Sequence, residues 1–227
     1  MRSIDDLEGV DDPAWPMVDS WISHGGTRVE RAPHDDDRGR ETLLRLQVTE
    51  RSVLGAMARR CGGLFVDHRW LRILGGGPDP MLNLAAVNDL TEIPATPPGR
   101  IVVATDVVGG TFAINGGDFP GQVGEVHYFA PDELTWLPMG MGHGEFVDWG
   151  MSASLMTLSV HLRWPGWEAE VGPLGAADAI SLYPFPFTRE GRDVADVSHR
   201  VVPWRQLATL YRDIAAVADI AGPATTP

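Results

Sequence analysis

Apolar residues recur along this chain at two spacings, a helical one of about 3.6 and a strand-like one of about 2, and their alternation lays out the elements. Between residues 100 and 158, segments rich in Val, Ile, Phe and Tyr are separated by turns containing Gly and Pro. That pattern predicts strands over 101–104, 111–114 and 126–130, with a fourth over 134–137, joined as an antiparallel meander. A helix is expected over 145–158. Gly109-Gly110 and Gly116-Gly117 supply positive φ in the turns, beside Asp106 and Asn115.

Upstream, Trp15, Val18, Trp21 and Ile22 share one helix face, with Asp12 as expected N-cap, Pro13 in the first turn and Gly25-Gly26 as the stop. Ser3 or Asp5 is expected to cap a short helix before it. Val29–Arg31 reads as a short strand, and Leu43, Leu44, Leu46, Gln47, Val48 and Leu54 make 40–54 an amphipathic helix of about three turns that ends near Thr49 or Ser52, with 53–60 continuing as a second helical turn stopped by Gly62-Gly63. Strands are expected at 64–66 and 70–74, with a turn at Asp67-His68 and a mobile turn at Gly75-Gly76-Gly77. A helix over 81–88 leads into an extended connector over 89–99 that carries three prolines. Downstream, 168–174 reads as a helical turn, and Pro184 and Pro186 keep 180–187 out of any central strand. Residues 201–203 are expected to begin a last helix over 204–219, with Leu207, Leu210, Tyr211 and Ile214 on one face. The fold class is therefore α+β: a mainly antiparallel central sheet from 64–74 and 101–137, covered by helices. It is read as one domain over 1–221 with a frayed tail at 222–227.

Composition narrows the function more than the fold. A net charge of −13 argues against a nucleic-acid partner, which needs cations to displace counterions, and suits a basic protein. One cysteine, Cys61, excludes an internal disulfide. The acidic N-terminal stretch is not a secretory leader, and no run approaches the roughly 18 apolar residues of a membrane span, so a cytoplasmic protein is expected.

No motif forms a coherent catalytic set. The carboxylates of Asp35, Asp36 and Asp37 lack the spacing of a calcium loop and fit a helix cap and first turn. Gly75-Gly76-Gly77 is followed by Pro78 without the Lys of a phosphate loop. The seven histidines form no HxH or HExxH pair, and there is no GxSxG elbow. His143, between Gly142 and Gly144 and two residues before Glu145, is the histidine best placed to line a cleft. Neither a metal nor a cofactor is expected.

Residues 61–77 (CGGLFVDHRWLRILGGG) and the phrases of 107–149 resemble the uncharacterised bacterial family called domain of unknown function 2625. So do DDPAWPMVDSWI, LQVTERSVLGA, LRWPGWEAEV and SLYPFPFTREG. The chain is also similar to the SUKH, or Smi/Knr-type, superfamily in Gly62-Gly63, in Asp106 with Gly109-Gly110, in Gly124-Glu125-Val126, and in Glu145-Phe146-Val147-Asp148-Trp149. Two valines stand between Asp106 and its glycines, and the segment after Trp164 has no counterpart in the short SUKH core. Many SUKH-like proteins are immunity proteins that block secreted bacterial toxins. The resemblance implies a toxin-neutralising binding protein; the charge of −13 suits a basic toxin as its partner, and the lack of a catalytic set suits a non-enzymatic role. The alternative is a small-molecule-binding protein or enzyme with a cleft around Trp136, His143, Glu145 and Trp149. With Asp106, these are the expected binding residues.

Overall fold

A computed structural model describes residues 1–152 and 154–221, so the expected tail at 222–227 lies outside the described residues. The chain opens with α1 (Ile4–Glu8), where the Ser3 hydroxyl accepts the Asp6 N–H while the Asp6 carboxylate accepts the Ser3 N–H. This is a capping box. In α2 (Trp15–His24) the expected cap at Asp12 is not used; Ala14 is the N-cap and no side chain caps it. Pro16 in the first turn removes one of the N–H groups that a cap would serve. After β1 (Val29–Arg31), α3 (Asp36–Leu46) begins four residues earlier than expected. Asp35 accepts the Arg38 N–H at 2.9 Å, and Asp36 and Asp37 occupy the positive end of the helix. Ser52 caps α4 (Val53–Arg60), a separate helix because Gln47 turns left-handed between the two.

Next come β2 (Leu64–Val66) and β3 (Leu71–Ile73), joined by Asp67, His68 and Arg69, all left-handed. Asn83 caps α5 (Leu84–Val87), and the meander follows as β4 (Arg100–Asp106), β5 (Thr111–Asn115), β6 (Glu125–Ala130) and β7 (Thr135–Gly142). All seven strands pair antiparallel in chain order, so β1 and β7 are the edges. The α+β class with a mainly antiparallel sheet is thus observed.

The expected helix over 145–158 is instead α6 (His143–Gly150) and α7 (Leu155–Ser159). The Thr27 N–H takes the Met151 carbonyl at 3.2 Å, an acceptor that a continuing helix would have used. After α8 (Trp167–Val171), β8 (Asp178–Tyr183) and β9 (Ser198–Pro203) form a two-stranded sheet, and α9 (Trp204–Ala221) closes the described chain. Residues 201–203 are therefore strand rather than helix start; Val201 pairs with Ile180 and Val202 with Ala179. No described helix is long and apolar enough to cross a membrane.

One face of the sheet packs on α6 through Phe112, which stacks on Tyr128 at 4.4 Å and meets Phe146 at 5.0 Å. A second apolar cluster gathers Trp70, Trp164 and Trp167. There the Arg163 guanidinium lies 4.7 Å from the Trp70 ring centre and 4.3 Å from that of Trp167, with Nη1 2.6 Å from Asp67. Among the N-terminal helices, buried Arg59 reaches Glu8 of α1 at 2.5 Å and Asp36 of α3 at 2.7 Å.

Gly75, Gly76 and Gly77 form no mobile turn. They are buried, and the Gly75 and Gly76 N–H groups bond to Leu82 and Cys61 carbonyls. A Cβ on Gly76 would stand 1.7 Å from the Ala58 carbonyl oxygen, a backbone atom that cannot rotate away. Gly76→Ala is expected to cost about 3 kcal/mol or more. Gly26→Ala, with no neighbour within 4 Å, should change stability by less than about 0.5 kcal/mol. Urea unfolding of both variants checks the contrast.

Candidate functional site

Strand register builds the first candidate site. Arg72, Thr105, Thr111, Phe129 and Trp136 stand directly opposite one another across β3 to β7, so their side chains share one sheet face. The start of α9 meets this face through buried Trp204. Between them lies a hollow of about 150 Å³, lined by Arg100, Thr111, Trp136, Trp204, Arg205 and Arg212 among others. Phe119 folds back onto Trp136 at 4.6 Å, and the Arg100 guanidinium sits 5.9 Å from each of these rings while pairing with Asp118 at 3.1 Å.

At the far end of the β6–β7 pair is a wider hollow of about 470 Å³, lined by Glu125, Glu145, Val123, Met141 and glycine backbone. No arginine lines it. The Glu145 carboxylate accepts the Gly142 N–H at 3.1 Å, and the Glu125 carboxylate accepts the Gly140 N–H at 2.9 Å. Glu145 thereby caps α6 and Glu125 holds the end of β7. Val123 is 66% exposed, and Leu137 on the β7 edge is 40% exposed.

Trp136 and Glu145 thus line different hollows. Trp149 and His143 both pack on Phe146, at 5.9 and 6.4 Å between ring centres. Asp106 is only 3% exposed and serves the interior. It accepts the N–H groups of Val108 at 3.0 Å and Gly110 at 2.7 Å and the Tyr128 hydroxyl at 2.7 Å, and its backbone carbonyl accepts the Trp204 indole N–H at 3.1 Å. Burial raises its pKa against the opposing pull of those donors and of Arg72, and burial with the Asp106 charge holds the Tyr128 hydroxyl well above its ordinary value. Among the described residues, no group of three His, Cys, Asp or Glu side chains is placed to hold a metal ion.

Sequence reasoning missed Arg100, Arg205 and Arg212. One signal was available. Arg205 and Arg212 are seven apart on the last helix and so share a face, beside the apolar positions that dominate its pattern.

Two outcomes follow from the buried groups. Tyr128→Phe leaves Asp106 one donor short and should cost about 1–3 kcal/mol. Asp106→Asn turns an amide N–H₂ toward N–H donors and should cost more, as denaturant titration will show. His143 is 9% exposed, neither ring nitrogen has a partner among the described residues, and burial pushes its pKa from the ordinary 6.5 down to about 4. As pH falls below 6.5 the unfolded chain takes up this proton first. The loss of stability therefore grows from about pH 6.5 down to about pH 4. Comparing wild type with His143→Phe across that window should isolate a term on the order of 3 kcal/mol.

Residues 4–207 match the family model described as "Protein of unknown function DUF2625". The chain is 35% identical over 189 residues to the "Putative uncharacterized protein YbfG" of Escherichia coli (strain K12), covering 82% of this chain and 85% of that protein. It is 28% identical over 188 residues to an "Uncharacterized protein" of Haemophilus influenzae, covering 81% and 82%. No solved structure matches it. With that model spanning most of its length and bacterial relatives aligned over four-fifths of theirs, the chain belongs to the DUF2625 family.

Proposed function

We propose that this chain is a non-enzymatic, cytoplasmic binding protein that captures a basic protein, in the manner of a SUKH-like immunity protein. The observation that carries the reading is the open outer edge of β7 beside the hollow lined by Glu125 and Glu145. An edge strand offers unpaired backbone groups to a partner; in β7 these exclude Pro138, which has no N–H, and the Gly140 and Gly142 N–H groups, which Glu125 and Glu145 accept. The neighbouring carboxylates supply the sign of charge that would select a cationic partner, and exposed Val123 and Leu137 supply apolar contact. The net charge of −13 would speed encounter with such a partner. The SUKH likeness is supported by the role of Asp106, whose carboxylate closes the turn carrying Gly109-Gly110. Gly124 also stands in the left-handed region just before β6, at the expected strand start.

Affinity capture with the full chain, followed by titration of the purified partner, tests the proposal. The partner is expected to be basic, with a pI above about 9, and its affinity should fall steeply with salt. Glu125→Lys with Glu145→Lys should weaken binding at least about tenfold, roughly 1.4 kcal/mol, while the fold persists. A partner that is neutral or acidic, or one indifferent to both reversals, would sink the reading.

A further inference from the structure

We infer that the hollow between the sheet and α9 is a binding site for a small organic anion, a carboxylate or phosphate ester carried on a flat apolar body. The inference does not rest on capture of a basic protein at the β7 edge, since the two hollows are separate and opposite in charge.

The charge around this hollow runs against that of the molecule. The chain carries −13 overall, yet three guanidiniums meet here, from Arg100, Arg205 and Arg212. Several arginines elsewhere sit on carboxylates, among them Arg59 on Glu8 and Asp36, Arg60 on Glu50 and Arg69 on Glu30, whereas others on the surface do not. Arg205 and Arg212 pair with no carboxylate among the described residues. Arg205 donates Nη2 to the Ala86 carbonyl at 3.1 Å. Arg212 donates Nε to the Ala208 carbonyl at 3.1 Å and Nη2 to the Thr209 hydroxyl at 3.4 Å. Each guanidinium has five N–H donors, so most remain free. Asp89 also lines the hollow and pairs with none of the three, and Asp118 neutralises Arg100 alone. Among the charged groups at the site the balance is therefore positive.

The cation in each case is Arg; the chain contains no lysine. A guanidinium matches the two oxygens of a carboxylate or phosphate with paired donors, which an ammonium does not. The rest of the lining is apolar and flat. The Trp204 indole forms one wall, held by its N–H bond to the Asp106 carbonyl. The Trp136 indole forms another, held by Phe119 and Phe129 at 4.6 and 5.5 Å. The Thr111 and Thr209 hydroxyls complete the polar complement. At about 150 Å³ the space is small beside the roughly 300–1,000 Å³ of ordinary ligand pockets, which limits the occupant to a small molecule or one end of a larger one.

The test titrates the full-length protein with phenyl phosphate, benzoate, inorganic phosphate and neutral benzyl alcohol. Indole N–H resonances of Trp136 and Trp204 report the site, and calorimetry gives affinity. Saturable shifts of both indoles are expected with at least one aromatic anion. Inorganic phosphate should bind at least about tenfold more weakly, and benzyl alcohol should not saturate. Arg205→Gln with Arg212→Gln should weaken the aromatic anion about tenfold or more without changing the melting temperature, because both side chains are exposed. Trp136→Leu should weaken the aromatic anions while leaving inorganic phosphate unchanged. The inference is overturned if neither aromatic anion saturates, if the arginine double variant binds like wild type, or if inorganic phosphate binds as tightly as the aromatic anions.

Discussion

A carboxylate removed from water must be met by donors on every side, and the body of this protein is arranged to meet one. Asp106 ends β4, and three segments converge on its oxygens: the β4–β5 turn through Val108 and Gly110, β6 through Tyr128, and α9 through Trp204 at the backbone carbonyl. Local turn, sheet and the last helix are thereby tied at one point. The same tie fixes where α9 begins relative to the sheet, and so defines the hollow beside Trp136. Gly109 lies at the contact, because a Cβ there would stand 2.9 Å from the Tyr211 ring.

Charge is distributed with similar economy. Taken as a sum, the sequence reads as a strongly acidic protein with no preference for anions. In space the sign changes along β7. Its Trp136 end borders a hollow rimmed by three arginines, and its Gly142 end borders one lined by Glu125 and Glu145. Only short distances matter at ordinary ionic strength, where fields fade over roughly 8–10 Å. The local balance at each hollow, rather than the total, therefore governs what each attracts. The total governs long-range approach.

The N-terminal half shows how much close backbone packing this fold requires. Gly39, Gly62, Gly75, Gly76 and Gly77 all stand where a Cβ would meet main-chain atoms of another segment. Arg59 spans the same region, bringing Glu8 and Asp36 of separate helices to one guanidinium. Such a pair is held at a desolvation cost and is tolerated because its donors find partners.

Much of the fold was legible in the order of residues, and little of the site. Period-2 runs and glycine turns marked the meander, because a strand with one buried face must alternate. Asp35–Asp37 marked a helix start, because orphan N–H groups need acceptors. Three readings failed where a distant partner overrode a local preference: Thr27 took the Met151 carbonyl at the cap of α6, β8 drew Val201 and Val202 into a strand, and backbone contacts immobilised Gly75–Gly77. Of the expected binding residues, Asp106, His143 and Trp149 went to the interior or its margin, while Trp136 and Glu145 parted to separate hollows. The linear sequence by itself determined the meander, most of the helix positions and the family, since each depends on neighbours within a few residues or on the whole string at once. Only the tertiary structure decided which arginines and indoles share a hollow, because that depends on residues more than a hundred positions apart, such as Asp89 and Arg205, lining one cavity.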